Sequence, residues 1–265
     1  MSTLNTLLDR LWRDYVRYNP HAQQVVNLLE ARGETVRNDH IAFRTYDHPR
    51  VGLDQLAKPF LDLGYTPGES YDFPKKKLRA RHFEPPEPGQ PLVFISELRT
   101  GEFTSTLRGI VEKLVAEVPD DLPERWDFPI AGRPWAVTQK DYETLGRESE
   151  YAAWVAAMGY RANHFTVDVN ALQTFDSLQQ LNAFLKENGI ALNDAGGEIK
   201  GSPEALLEQS STLAGEIEVQ FADGTMKIPG CYYEFARRYE QPDGTLFTGF
   251  VAQSADRIFQ STDRR

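Results

Sequence analysis

Leu7, Leu8, Leu11, Trp12, Tyr15 and Val16 recur at spacings of three and four residues, the period of an amphipathic helix, until Pro20 interrupts them. A second helix is predicted over about His21 to Ala31, closing at Gly33. The period then drops to two. A strand is predicted around Asn38-Asp39-His40-Ile41-Ala42-Phe43-Arg44, followed by a helix over Leu53 to Leu63 that stops at Gly64. Alternating stretches near Tyr71, over Leu78 to Phe83 and over Pro91 to Leu98 predict three more strands, so the order is strand, helix, three strands.

That order recurs. Residues 162–169 predict a strand and 174–188 a helix ending at Gly189, and further strands are expected over 190–200, 214–222 and 226–238. Asp223-Gly224 is a strong hairpin signal. Between the halves, a short helix is expected near 105–117, a Pro-rich stretch from Trp126 to Trp135, and one helix from about 140 to 158. The reading is an α+β chain forming a single domain over 1–265. It has pseudo-repeat βαβββ modules at about 36–99 and 160–240, a helical N-terminus at 4–33 and a C-terminal loop at 248–262.

The two module-opening strands carry histidines in like contexts, Asn38-Asp39-His40-Ile41 and Ala162-Asn163-His164-Phe165, and a third apolar segment, Cys231-Tyr232-Tyr233-Glu234-Phe235-Ala236-Arg237, carries a glutamate. Two imidazoles and one carboxylate are the facial set that holds a non-haem Fe(II) and leaves positions for substrate and gas. A histidine in an apolar strand is ordinarily a hydrogen-bonded core residue, but two in matching contexts favour ligation. An apolar-flanked Glu234 needs a partner that a metal would supply. Side chains two apart share a strand face, so His40, Ala42 and Arg44 look the same way. Arg44 could then grip one carboxylate of a diacid in a bidentate fork while the other end meets the metal. Glu97 stands near the end of the first module much as Glu234 stands in the second. It is either a fourth ligand, which would suit a non-redox Lewis-acid metal, or a residue supporting the site, as Tyr232 could also be.

Composition narrows the partners. With 39 acidic against 29 basic residues and a net charge of -10, the chain has no general affinity for nucleic acid or anionic membrane. One cysteine, Cys231, excludes an internal disulfide and a thiolate cluster and fits a cytoplasmic protein. No stretch approaches the roughly 18 apolar residues of a membrane span, and the first residues do not resemble an export signal. Phosphate-binding loops, a Gly-x-Ser-x-Gly elbow and a His-Glu-x-x-His helix are missing from the sequence, and Lys75-Lys76-Lys77 reads as a solvated turn.

The blocks Asn38-Asp39-His40-Ile41-Ala42-Phe43-Arg44-Thr45, Asn163-His164-Phe165-Thr166, Tyr233-Glu234-Phe235-Ala236-Arg237-Arg238 and Ser254-Ala255-Asp256-Arg257-Ile258-Phe259-Gln260-Ser261 resemble the 2-oxoadipate dioxygenase/decarboxylase family, a relative of the vicinal oxygen chelate enzymes. The resemblance implies Fe(II) on His40, His164 and Glu234, a substrate carboxylate on Arg44, and a substrate-facing backbone near Gln253 and Ser254. It implies paired modules curved around the metal. The expected reaction takes a 2-oxo diacid and O2 to a 2-hydroxy acid and CO2. Its alternatives are a glyoxalase-like lyase or isomerase and a non-catalytic small-molecule-binding module.

Overall fold

The fold, obtained as a computed structural model, describes residues 3–251. Two helices lead in, α1 (Leu4–Tyr18) and α2 (Pro20–Ala31). Thr3 caps the first through its side chain, and Pro20 opens the second at a position where no helical N–H is needed. Leu7, Leu11 and Tyr15 turn the apolar stripe of α1 inward, and the rings of Trp12 and Tyr15 lie 5.1 and 4.9 Å from Phe165.

The first module follows as β1 (Asn38–Tyr46), α3 (Leu53–Asp62), β2 (Thr66–Phe73), β3 (Leu78–Glu84) and β4 (Leu92–Leu98), the order its periodicity predicts. The connection holds α4 (Ser105–Ala116), α5 (Gln139–Glu148) and α6 (Glu150–Met158). The single helix expected over 140–158 is two, because Ser149 is extended at φ -155° and its side chain accepts from Ala152 N to start a new helix. The second module is β5 (Ala162–Asp168), α7 (Leu178–Glu187), β6 (Lys200–Ser202), β7 (Leu207–Ser211) and β10 (Glu234–Arg238), with a separate hairpin, β8 (Glu216–Phe221) and β9 (Gly224–Pro229), inserted before the last strand. The hairpin its sequence predicts forms, turning at Ala222 and Asp223 with Gly224 opening β9. The expected strand over 190–200 is instead loop until Lys200, the one expected over 226–238 is two strands split at 230–233, and β7 was not foreseen.

Eight strands make one curved mixed sheet in the order β2-β3-β4-β1-β5-β10-β7-β6. Each half repeats one plan: the module's first strand lies at the seam, its last strand pairs parallel beside it, and the two middle strands run outward. The modules meet where β1 and β5 pair antiparallel. On the outer face Phe43 packs 5.4 Å from Phe60 of α3. His40, Ala42 and Arg44 alternate to the inner face, where α6 lies across β1 and Tyr46 donates a hydrogen bond to Ala152 O. No helix among the described residues is long and apolar enough to cross a membrane.

Candidate metal centre

Three adjacent strands bring the expected ligands together. The β1–β5 register pairs His40 with Thr166 and Ala42 with His164, so the two histidines occupy diagonal positions on one face, close enough for their rings to meet. Across β5, Glu234 of β10 is also opposite Thr166. The two Nε2 atoms are 3.4 Å apart, and each lies 3.6 Å from an oxygen of Glu234. All three side chains are buried, at 2%, 5% and 1% exposure. Among the described residues they form the one group of histidine, cysteine, aspartate and glutamate side chains with metal-ligand spacing.

The surrounding hydrogen bonds orient these groups. Asp39 Oδ2 lies 2.7 Å from His40 Nδ1, and Asn163 Oδ1 lies 3.0 Å from His164 Nδ1. An oxygen acceptor at Nδ1 puts the proton of a neutral imidazole there and leaves the Nε2 lone pair free, so both lone pairs point at the shared space. The Thr166 hydroxyl stands 3.0 Å from His40 Nε2, and Gln209 of β7 donates to Glu234 Oε1. Tyr232 stacks on His164 with ring centres 4.7 Å apart. Arg238, four residues beyond Glu234, grips Asp39 through Nε at 2.6 Å and Nη2 at 2.9 Å.

Burial pushes the Glu234 carboxyl up to about 8 against the hydrogen bond from Gln209. Burial lowers both histidines, and for His164 the neighbouring His40 and Arg44 add to it. Burial would raise Asp39, but Arg238 and His40 overcome it and hold this carboxyl below the usual range. Two inward lone pairs beside an unfavourably placed carboxylate form an N2O donor set that fits a divalent metal ion, whose charge would relieve the strain on Glu234.

Arg44 is buried on the same face, its guanidinium 5.1 Å from the ring centre of Tyr151 and 5.2 Å from that of Trp154, and its charge acts on both His164 and Tyr232. Glu97 does not join the group. It points to the outer face, accepts from Leu53 N at 2.6 Å at the start of α3, and pairs with Arg79. Gln253 and Ser254 lie outside the described residues. His82 is 2% exposed and sits 2.7 Å from Tyr71 OH, with Gly68 leaving the space its ring fills.

Sequence reasoning missed Asp39, Arg238, Gln209 and an aromatic wall. Thr166 faces Glu234 in β10, and its counterpart Ala42, likewise two residues beyond the histidine, faces Phe94 in β4. Phe94 therefore stands where a symmetric module would offer a second carboxylate. Phe250 covers it at 4.7 Å and meets His40 edge-on at 4.9 Å. The repeat of Asp39-His40 as Asn163-His164 was the available signal for the Nδ1 partners.

The family model described as 2-oxoadipate dioxygenase/decarboxylase matches residues 2–120 and 132–244. The chain is 36% identical to the chloroplastic 2-oxoadipate dioxygenase/decarboxylase of Arabidopsis thaliana over 98% of this chain and 78% of that protein. A hydroxyglutarate synthase from Oryza sativa, solved in complex with 2-oxoadipate, has a TM-score of 0.89 at 35% identity, covering 97% of this chain and 91% of that one. A crystal structure from Shewanella frigidimarina, described provisionally as a hydrolase, reaches 0.92 at 48% identity over 95% and 99%. One from Ralstonia eutropha, described provisionally as a glyoxalase superfamily protein, gives 0.77 at 23% over 92% and 84%, and shows the vicinal oxygen chelate-like fold alone.

Proposed function

The chain belongs to the 2-oxoadipate dioxygenase/decarboxylase family, and from that membership we propose that it is a decarboxylating dioxygenase acting on a 2-oxo diacid of the 2-oxoadipate kind, with Fe(II) held by His40, His164 and Glu234. The reaction balances as 2-oxoadipate plus O2 giving 2-hydroxyglutarate plus CO2: one oxygen atom enters the new carboxylate and the other the hydroxyl. The observation that carries the reading is the convergence of two imidazole lone pairs and one buried carboxylate on the face that also holds Arg44.

Bound there, Fe(II) would supply the electrons for oxygen activation and a seat for the 2-oxo acid head. The chain's own residues do the rest. Asp39 and Asn163 fix the imidazole tautomers, and Gln209 holds the Glu234 carboxylate in place. Arg44 takes the distal carboxylate and so sets the chain length at which the reacting carbons reach the centre. Phe94, Phe250 and Tyr232 keep water from the centre. The glyoxalase-like lyase reading loses its fourth ligand, since Glu97 is bonded at the helix and Phe94 fills the corresponding place. A reducing compartment such as the cytoplasm suits the buried free Cys231. Anaerobic loading with Fe(II), followed by oxygen uptake over a panel of 2-oxo acids, tests the proposal. Uptake matched one to one by CO2 is expected with 2-oxoadipate, and no uptake with any 2-oxo acid would overturn it.

A further inference from the structure

A cavity of about 310 Å3 lies beside Arg44, between the β2–β3 turn and the junction of α5 with α6. Arg44 and Tyr151 line it, with Lys75, Lys76 and Lys77 from the turn and Arg147 from the end of α5. Five cations thus meet two lining carboxylates, Glu148 and Glu150, in a chain whose net charge is -10. Glu148 is already engaged, accepting from Thr104 N at 3.3 Å and from Thr104 Oγ1 at 2.6 Å. Lys77 donates to Glu102 O at 2.6 Å and lies 4.1 Å from the Phe103 ring centre. Lys75, Lys76 and Arg147 form no ion pair among the described residues, although acidic side chains outnumber basic ones across the molecule.

Unpaired cations on opposite walls of a small cleft focus a positive potential into it and favour a ligand with negative charge at both ends. The volume suits a small molecule and excludes a polyanion. Arg44 joins this space to the metal centre, because it lines the cavity and shares the inner face of β1 with His40. We propose that the cavity is a capture vestibule for the diacid, in which Lys75, Lys76 and Arg147 take up a small dicarboxylate and deliver it to Arg44. The proposal rests on the reading of Arg44 as the residue that meets the distal carboxylate.

Lys75→Glu/Lys76→Glu in the Fe(II)-loaded protein tests it by oxygen uptake at low and high salt. Electrostatic capture predicts a fall of about tenfold in kcat/KM for 2-oxoadipate at low ionic strength, shrinking as salt rises, with kcat at saturation held. The six-carbon 2-oxo monoacid should lose less, and Lys75→Gln/Lys76→Gln should show a smaller loss than the charge reversal. An unchanged kcat/KM at low salt, or a kcat that falls in parallel, overturns the vestibule. A second measurement needs no turnover: adipate titrated calorimetrically into anaerobic Fe(II)-loaded protein should bind about tenfold more weakly to the charge-reversed variant, and superimposable isotherms would also overturn it. Charge-sensitive adipate binding by a wild-type protein that consumes oxygen with no 2-oxo acid would remove the dioxygenase reading and leave the anion site standing.

Discussion

The two modules share a strand plan and differ in charge at almost every position that matters. Counting from the histidines, Asp39 corresponds to Asn163, Ala42 to Thr166 and Arg44 to Asp168; across the parallel pairing, Phe94 corresponds to Glu234, Glu97 to Arg237 and Leu98 to Arg238. In both modules an oxygen from the preceding residue holds the histidine through Nδ1, but one oxygen belongs to a carboxylate and the other to a neutral amide. The carboxylate is tolerated because Arg238 reaches across the seam from the second module. One module provides His40, Arg44 and an aromatic wall; the other provides His164 and the Glu234 carboxylate. The halves share the frame, and their divergence puts the Phe94–Phe250 wall on the flank where the second half presents its carboxylate.

Removing a ligand from either half breaks the comparison hardest. His40→Ala, His164→Ala and Glu234→Ala should each abolish stoichiometric metal binding in a folded protein, as read by metal analysis beside circular dichroism; wild-type affinity in any of them would show that the wrong ligand was chosen. Next comes Arg44, whose counterpart is acidic. Arg44→Ala should keep the metal and lose about 30-fold to several thousand-fold in productive diacid binding, the effect of losing on the order of 2 to 5 kcal/mol, and lysine should restore only part. The decisive comparison is kcat/KM for 2-oxoadipate against the six-carbon monoacid, and equal losses on both would make the arginine structural.

Asp39→Asn makes the first module imitate the second. Metal affinity should weaken by about 10- to 100-fold, and the protein should lose about 3 kcal/mol because Arg238 is left buried without its carboxylate. Titration with Mn(II) and chemical denaturation read the two effects separately, and affinity equal to wild type would mean that the charge of Asp39 is irrelevant to His40. The mildest effect at the metal belongs to Glu97→Gln. It should leave metal binding intact and cost about 1 to 3 kcal/mol of stability through the hydrogen bonds of Glu97 with Leu53 N and Arg79; loss of metal would reinstate the fourth-ligand reading.

Where burial and hydrophobicity coincide, the sequence is readable. The helices of the N-terminus, the whole first module and the Asp223-Gly224 hairpin all follow their periodicity. It fails at β7, Leu207-Glu208-Gln209-Ser210-Ser211, where every residue is buried but most are polar and satisfied by hydrogen bonds, including Ser210 Oγ to Asn182 Oδ1 and Gln209 to Glu234. The converse error is 190–200, where Ile190 and Leu192 imitate an alternating strand but the chain turns at Gly196 and Gly197, both with positive φ. The grouping of His40, His164 and Glu234 was legible because the histidines repeat in context. Arg238 was not, since nothing local shows that a basic residue near position 238 will meet an acidic one at 39.

The proposed ligands at 40, 164 and 234 would impose an order on the life of the molecule. While it is being synthesised, a nascent chain carrying both histidines still lacks the carboxylate, and Asp39 lacks the guanidinium that holds it. The N-terminal half can therefore fold first without offering a finished trap for whatever divalent ion is abundant. On the proposed ligand set, metal selection would wait until the strand carrying Glu234 has emerged and paired beside β5.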